Sequence, residues 1–338
     1  MKLQRVRGSI TRRRASRLIE HGRLDEAIEL LTRAVRKHRD AALETLLVEL
    51  RRDSLPSVER RVPHPVGGVA DLFPDVVGIP EISGDDLTIE ALTSAIVHHG
   101  SLLVRGLVAP RHVERLVRDI DEAFAAYDQH VAGVPTAETM PYFVPFEPGP
   151  EHPIHREWIR NGDGVLAVDS PRALFDIIET FDEIGLRELI TEFVGEPALI
   201  LALKTTLRRV KPLGDPDWHQ DGAFMGGDIR SLDVWLALSD CGEDAASLDV
   251  VGRRLDEIVT TGTDGARFDW SVGPAKVEAL APEGVVRPVF APGDALLFDH
   301  FMLHRTGVHD GMTRDRYAVE AWFAAPSSYP ADQVGIAY

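Results

Sequence analysis

The stretch DWHQDGAF, residues 217–224, sets a histidine and an aspartate two positions apart and follows them with a glycine. On extended backbone, residues two apart point to the same face, so His219 and Asp221 can reach one metal ion. In a chain with 13 histidines such a pair is only two legs of a site, and the third must come from a distant strand. The best source is DALLFDHFMLHRTG, residues 294–307, where alternation puts Phe298, His300, Met302 and His304 on one face. Either histidine would close a two-His, one-carboxylate set. Such a set suits a non-haem Fe(II) and leaves coordination positions open for a cosubstrate and oxygen.

Composition narrows what else the chain can be. Of its 338 residues, 44% are hydrophobic and 27% charged, the balance of an ordinary globular protein with room for one large domain or two smaller ones. The longest apolar runs, such as that around Ala198 to Leu203, are too short to span a bilayer, so no membrane partner is expected. The basic start MKLQRVRGSITRRRAS has no apolar stretch behind it, which argues against a secretory signal. A single cysteine, Cys241, allows no intrachain disulfide, excludes a Cys-rich metal site and fits a reducing cytoplasm. Net charge is −17 but uneven: residues 1–61 carry 16 Lys/Arg against 9 Asp/Glu, and the rest is strongly acidic. A body that acidic repels phosphate backbones, so no nucleic-acid partner is expected.

The elements that must position the histidines come in two halves. Leu24, Ala27, Ile28, Leu31, Ala34 and Val35 recur at helical spacing, and EHGRLDEAIELLTRAV resembles one hairpin of a tetratricopeptide array with no second copy behind it. Residues 1–62 therefore read as an N-terminal helical extension, with 10–52 as a surface for a protein partner or self-association. The proline-rich stretch that follows makes 63–74 a linker. A main domain over 75–330 opens with helices at LTIEALTSAIVHHG and after SLLVRGLV, and a Pro/Gly-rich segment at 131–164 reads as a lid. From Ala198 the pattern turns to short strands: ALILALKTTLRRV, SLDVWLALSD, EGVVRPVF, DALLFDHFMLH and RYAVEAWFAA. Strands after a helical half predict an α+β fold, a double-stranded β-helix (a jelly-roll or cupin-like barrel) braced by helices.

HQDG, then VWLAL, then GDALLFDHFMLHRTG, then RYAV in a last strand, together resemble the phytanoyl-CoA dioxygenase family of Fe(II)/2-oxoglutarate oxygenases. The resemblance covers about residues 75–326, including HGSLLVRGLV, and leaves the N-terminal helices outside. It implies His219, Asp221 and His304 as the iron ligands, selecting His304 over His300 because the family's distal histidine precedes a small polar turn. It also implies an arginine before the final strand that grips the remote carboxylate of 2-oxoglutarate. Arg316 matches that position, with Arg314 as the alternative. Thr306 matches a position where a hydroxyl helps hold the same carboxylate, and Trp235 matches the family's aromatic in VWLAL, expected to line the cosubstrate site or else to belong to the core. Lys204 interrupts an apolar strand, costly unless it meets an anion or water, and is expected to touch 2-oxoglutarate or substrate.

The implied activity is hydroxylation of an unactivated C–H of a small metabolite, consuming O2 and 2-oxoglutarate and releasing succinate and CO2, with ascorbate as a stimulant. Halogenating relatives replace the carboxylate ligand with a small residue, so Asp221 favours a hydroxylase. Two departures from the family loosen the substrate class: the Pro-Gly-Ser-His turn expected after VWLAL is missing, and the turn after His304 lacks an asparagine. The rival readings are a cupin-type metal enzyme that does not use 2-oxoglutarate, and a non-catalytic barrel whose helical extension recruits a partner.

Overall fold

The structure, a computed structural model, describes residues 2–55, 58–59, 68–214, 216–330 and 332–338. Most of the boundary between the expected extension and linker, residues 60–67, lies outside the described residues.

Three helices open the chain: α1 (Lys2–Glu20), α2 (Leu24–Lys37) and α3 (Ala41–Asp53). In α2 the apolar residues Ala27, Leu31 and Val35, each four positions after the last, form the buried stripe that the periodicity predicts. Asp40 caps α3 by accepting from the Ala42 and Leu43 amides, satisfying donors the helix cannot. The helices bury their own small core together with Phe175. They also make polar contacts outward: Arg36 pairs with Glu179, Arg39 with Asp176, and Arg172 reaches Glu44 at 3.1 Å.

The remaining helices are α4 (Ile89–His99), α5 (Pro110–Val131), α6 (Arg156–Asn161), α7 (Pro171–Glu183), α8 (Leu186–Val194), α9 (Gly222–Met225) and α10 (Pro274–Leu280). The strands are β1 (Glu81–Ser83), β2 (Ser101–Arg105), β3 (Gly164–Leu166), β4 (Leu199–Leu201), β5 (Thr206–Val210), β6 (Ser231–Ala237), β7 (Ser247–Val250), β8 (Ala295–Phe298), β9 (His304–Gly307), β10 (Arg316–Ala324) and β11 (Gly335–Ala337). Nine strands form one sheet, in the order β1-β2-β8-β6-β10-β4-β11, with β5 paired to β10 and β3 to β5. Strands β7 and β9 form a second, two-stranded antiparallel sheet.

The large sheet is covered differently on its two faces, and β6 shows why. Leu232, Val234 and Leu236 join the core built with α4, α5, α7 and α8. Trp235 and Ala237, one position out of phase, join Leu296, Phe298, Ala318 and Trp322 against Leu248 and Val250 of the small sheet. The fold is therefore mixed α+β, with helices on one face and the small sheet on the other.

Three sequence expectations need correction. ALILALKTTLRRV is not one strand: Lys204 and Thr205 donate backbone N–H bonds to Leu201 at 3.1 and 2.9 Å, so β4 turns before β5 begins. DALLFDHFMLHRTG is also broken. Asp299 accepts from the Phe301 amide at 3.0 Å, and this turn sends β8 into the large sheet and β9 into the small one. Phe298, His300, Met302 and His304 consequently do not share a strand face. EGVVRPVF makes only isolated bridges, at Val286 and Phe290, since Pro288 between them has no amide to donate. Within 131–164, Phe143 and Phe146 are buried in the main core and Arg156 pairs with Asp169 at 2.9 Å, while 132–138 stay exposed. Among the described residues, no helix is long and apolar enough to cross a membrane.

Candidate metal centre

His219 and His304 come from segments far apart in sequence and are joined as a two-residue antiparallel bridge. Their ring centroids are 4.5 Å apart. Asp221 completes the group, and the candidate ligand atoms of the three residues lie within 4.8 Å of one another. Asp221 is not on extended backbone as expected: its φ of −63° and ψ of −27° are helical, and it stands at the start of α9. Gly222 is thus the first residue of a short helix rather than a bare turn. A side chain there would meet the His300 ring and carbonyl at 3.0 Å, so packing requires the glycine.

The ring nitrogens are sorted by the backbone. Nδ1 of His219 lies 3.1 Å from the Asp217 carbonyl and Nδ1 of His304 lies 3.0 Å from the Met302 carbonyl. A proton on each Nδ1 donates to that carbonyl and leaves Nε2 with a free lone pair, the arrangement a metal-binding histidine needs. Burial pushes the His219 imidazole down to about 4, with His304 adding to the effect, so it is neutral at physiological pH. Burial alone would raise Asp221, but Lys204, His219 and His304 together hold its carboxyl well below the usual range. Lys204 donates to one Asp221 oxygen at 3.0 Å, while the other lies 3.7 Å from Nε2 of His304.

His300, the rival third histidine, is buried elsewhere, its ring 3.0 Å from Ser231 Oγ and 3.2 Å from the Gly227 carbonyl. The two arginines also part. Arg316 is 1% exposed and lies over the Trp235 ring at 5.1 Å, whereas Arg314 reaches outward to Asp240 at 3.9 Å. Alternation does not carry Arg314 to the same side, because β10 begins at Arg316. Thr306 pairs opposite Leu248, and His304 opposite Val250, so both face the interior between the sheets.

Among the described residues, two buried donors in that interior have no hydrogen-bond partner: Nε of Arg316 and Nε1 of Trp235. Orphaned buried donors are costly, and an anionic ligand between them would satisfy both. A third orphan is an acceptor, Oδ1 of Asp233 on the same face of β6. Burial, then Glu320 and Asp221, push the Asp233 carboxyl well above the usual range.

Three site residues gave no signal in the sequence. Gln220, 1% exposed, donates to the Glu257 and Phe301 carbonyls at 3.1 and 2.6 Å and accepts from the Val259 amide at 2.8 Å, fastening the His219–Asp221 loop to two others. Trp270 lies edge-on to His219 at 6.1 Å and stacks on Phe268. Only a loop closure invisible in the sequence brings these two rings to the site.

The family described as Phytanoyl-CoA dioxygenase (PhyH) matches residues 96–313, more than half of the 338. The chain belongs to the phytanoyl-CoA dioxygenase family. Members of this family are Fe(II)/2-oxoglutarate-dependent oxygenases, and this chain carries a His-Asp-His group of the kind they need. No curated protein matches it. Among solved structures it is similar to the non-heme alpha ketoglutarate dependent carbocyclase SnoK from nogalamycin biosynthesis. That likeness has 13% identity, 72% of this chain, 86% of that one and a TM-score of 0.46. EctD from S. alaskensis, solved with 2-oxoglutarate and 5-hydroxyectoine, is 15% identical over 70% of this chain and 75% of its own, at a TM-score of 0.47. AviO1 from Streptomyces viridochromogenes Tue57 is 20% identical over 72% and 98%, at 0.45.

Proposed function

We propose that this member of the phytanoyl-CoA dioxygenase family is a hydroxylase of a small metabolite. In this reading the two sheets are the halves of a jelly-roll barrel, and His219, Asp221 and His304 hold Fe(II) at its mouth. Arg316, with Trp235 and Thr306, receives the remote carboxylate of 2-oxoglutarate. The observation that carries the reading is the pairing of a three-ligand group with two unpartnered buried donors in the same interior. Iron and 2-oxoglutarate bound there would supply an oxidation in which O2 converts C–H to C–OH while 2-oxoglutarate becomes succinate and CO2.

The chain's own residues do the rest. Lys204 holds Asp221 ionised and occupies one of its oxygens, so the other is presented to the histidine side. The Asp217 and Met302 carbonyls fix the two imidazoles with Nε2 inward. Gln220 keeps the ligand loop from shifting. The aspartate in the ligand set favours hydroxylation, since it leaves no gap for a halide. Helices α1–α3 of the extension reach the main body through the packing of α3 on α7, and the extension is proposed to remain attached to it.

The test is succinate release from 2-oxoglutarate with Fe(II), ascorbate and a panel of candidate substrates. Release that depends on both iron and 2-oxoglutarate, and that disappears in His219→Ala, supports the reading. Turnover that survives His219→Ala would remove the assigned site. Activity untouched in Arg316→Ala would favour a metal enzyme that does not use 2-oxoglutarate.

A further inference from the structure

A row of aromatic rings runs from the triad to the surface. Phe224 and Trp270 lie 6.3 and 6.1 Å from the His219 ring and 5.8 Å from each other, inclined at 48°. Trp270 then stacks on Phe268, 5.3 Å between centroids and 3° from parallel. These three residues are 38%, 36% and 47% exposed. Leaving that much ring area in water forgoes the burial that usually places aromatics inside, and such patches beside a polar site mark where a ligand sits.

Charge says what kind of ligand. The cations at the row are already engaged. Lys204 lies 4.6 Å over Phe224 and bonds Asp221, while Arg267 lies 5.5 Å over Phe268 and forks onto Asp217 at 3.1 and 2.6 Å. An anionic group arriving at the row would have to draw Lys204 or Arg267 away from its carboxylate, and a cationic one would have to displace the same cation from Asp221 or Asp217. We infer that the substrate presents a planar, uncharged ring that lies against Trp270 and Phe224 beside the metal-binding triad. The inference rests on the reading of that triad as the metal site and adds the substrate's chemical class.

The full chain is titrated by calorimetry with 2-naphthol, a planar neutral probe, and with its saturated counterpart decahydro-2-naphthol. Saturable binding of 2-naphthol, about ten-fold tighter than that of the saturated compound, is expected from stacking worth up to about 1.5 kcal/mol. Trp270→Ala and Phe224→Ala should each weaken 2-naphthol about ten-fold, and Trp158→Ala, a 74% exposed tryptophan elsewhere, should change nothing. Placement is read separately. Mn(II) binding is followed by electron paramagnetic resonance, and the bound ion should sharply shorten the relaxation times of the 2-naphthol protons. No saturable 2-naphthol binding, equal affinity for the saturated compound, or indifference to both substitutions would overturn the platform. Bound Mn(II) without enhanced relaxation would overturn its placement beside the triad. Ring binding in a chain that takes up no Mn(II) would keep the platform and overturn the metal reading instead.

Discussion

The backbones of His219 and His304 hold one another: each N–H donates to the other's carbonyl, at 2.9 and 3.0 Å. This reciprocal bridge makes the distance between two candidate ligands a property of the main chain, with the side chains left only to orient. Removing one ring should therefore leave the fold intact and cost the metal. His219→Ala is predicted to lower Mn(II) or Fe(II) affinity at least about 100-fold by calorimetry, with an unchanged circular dichroism spectrum. Gln220→Leu, which loosens the loop without removing a ligand, should cost about ten-fold. Equal affinity in His219→Ala would place the metal elsewhere.

Arg316 is a buried cation whose one protein hydrogen bond among those described is Nη1 to the Ser247 carbonyl at 3.1 Å. Burial lowers its guanidinium pKa, the sign of an unfavourable environment for the charge. Burial outweighs the help of the Glu320 carboxylate, and exchanging such a costly buried charge for an apolar side chain of similar volume is often neutral or stabilising. Arg316→Met should unfold at the same temperature as wild type or higher when no cosubstrate is present. Addition of 2-oxoglutarate with Mn(II) should raise the wild-type midpoint and leave the variant's where it is. A variant that retained the 2-oxoglutarate shift would show that another residue takes the carboxylate.

Glu44 is 1% exposed in α3 and is held by Arg172 at 3.1 Å and Arg39 at 3.5 Å. Taking away the closer partner leaves a buried carboxylate with only the longer contact to Arg39. Arg172→Met is predicted to cost about 3 kcal/mol in urea unfolding. Because the pair joins α3 to α7, the loss should appear in one cooperative transition. A separate early transition, with the main one unmoved, would mean that the N-terminal helices fold as an independent unit.

Asp119 lies in α5, and burial, reinforced by the neighbouring Asp176 carboxylate, pushes its carboxyl up to about 8 despite Arg39 and Arg115 nearby. In the unfolded chain an aspartate titrates near 3.9. Between those values the folded protein keeps a proton that the unfolded chain has released, so stability falls as pH rises from about 4 to about 8. Asp119→Asn, neutral throughout, should be more stable than wild type by at least about 1 kcal/mol at pH 8. The difference should vanish toward pH 4. Parallel pH–stability curves would remove Asp119 as the cause.

Some of this molecule is readable residue by residue. The apolar alternation of Leu232, Val234 and Leu236 against Asp233 and Trp235 is a local pattern, and the strand it predicts is the one that divides the two cores. The stripe of Ala27, Leu31 and Val35 likewise suffices for α2, and HQDG brings His219 and Asp221 near each other whatever else the chain does. Which distant histidine joins them is another matter. Strand alternation treats His300 and His304 alike; the family resemblance favours His304, and the physical separation comes from the turn around Asp299, which turns His300 toward Ser231 and carries His304 into the small sheet. The same holds for Arg316 against Arg314, and for Gln220 and Trp270, whose partners lie in other loops. Backbone preference and side-chain periodicity act over a few residues and are written in them. Loop closure and the pairing of remote strands are decided by which packing buries the most apolar surface with every polar group satisfied, and that comparison exists only for the whole chain.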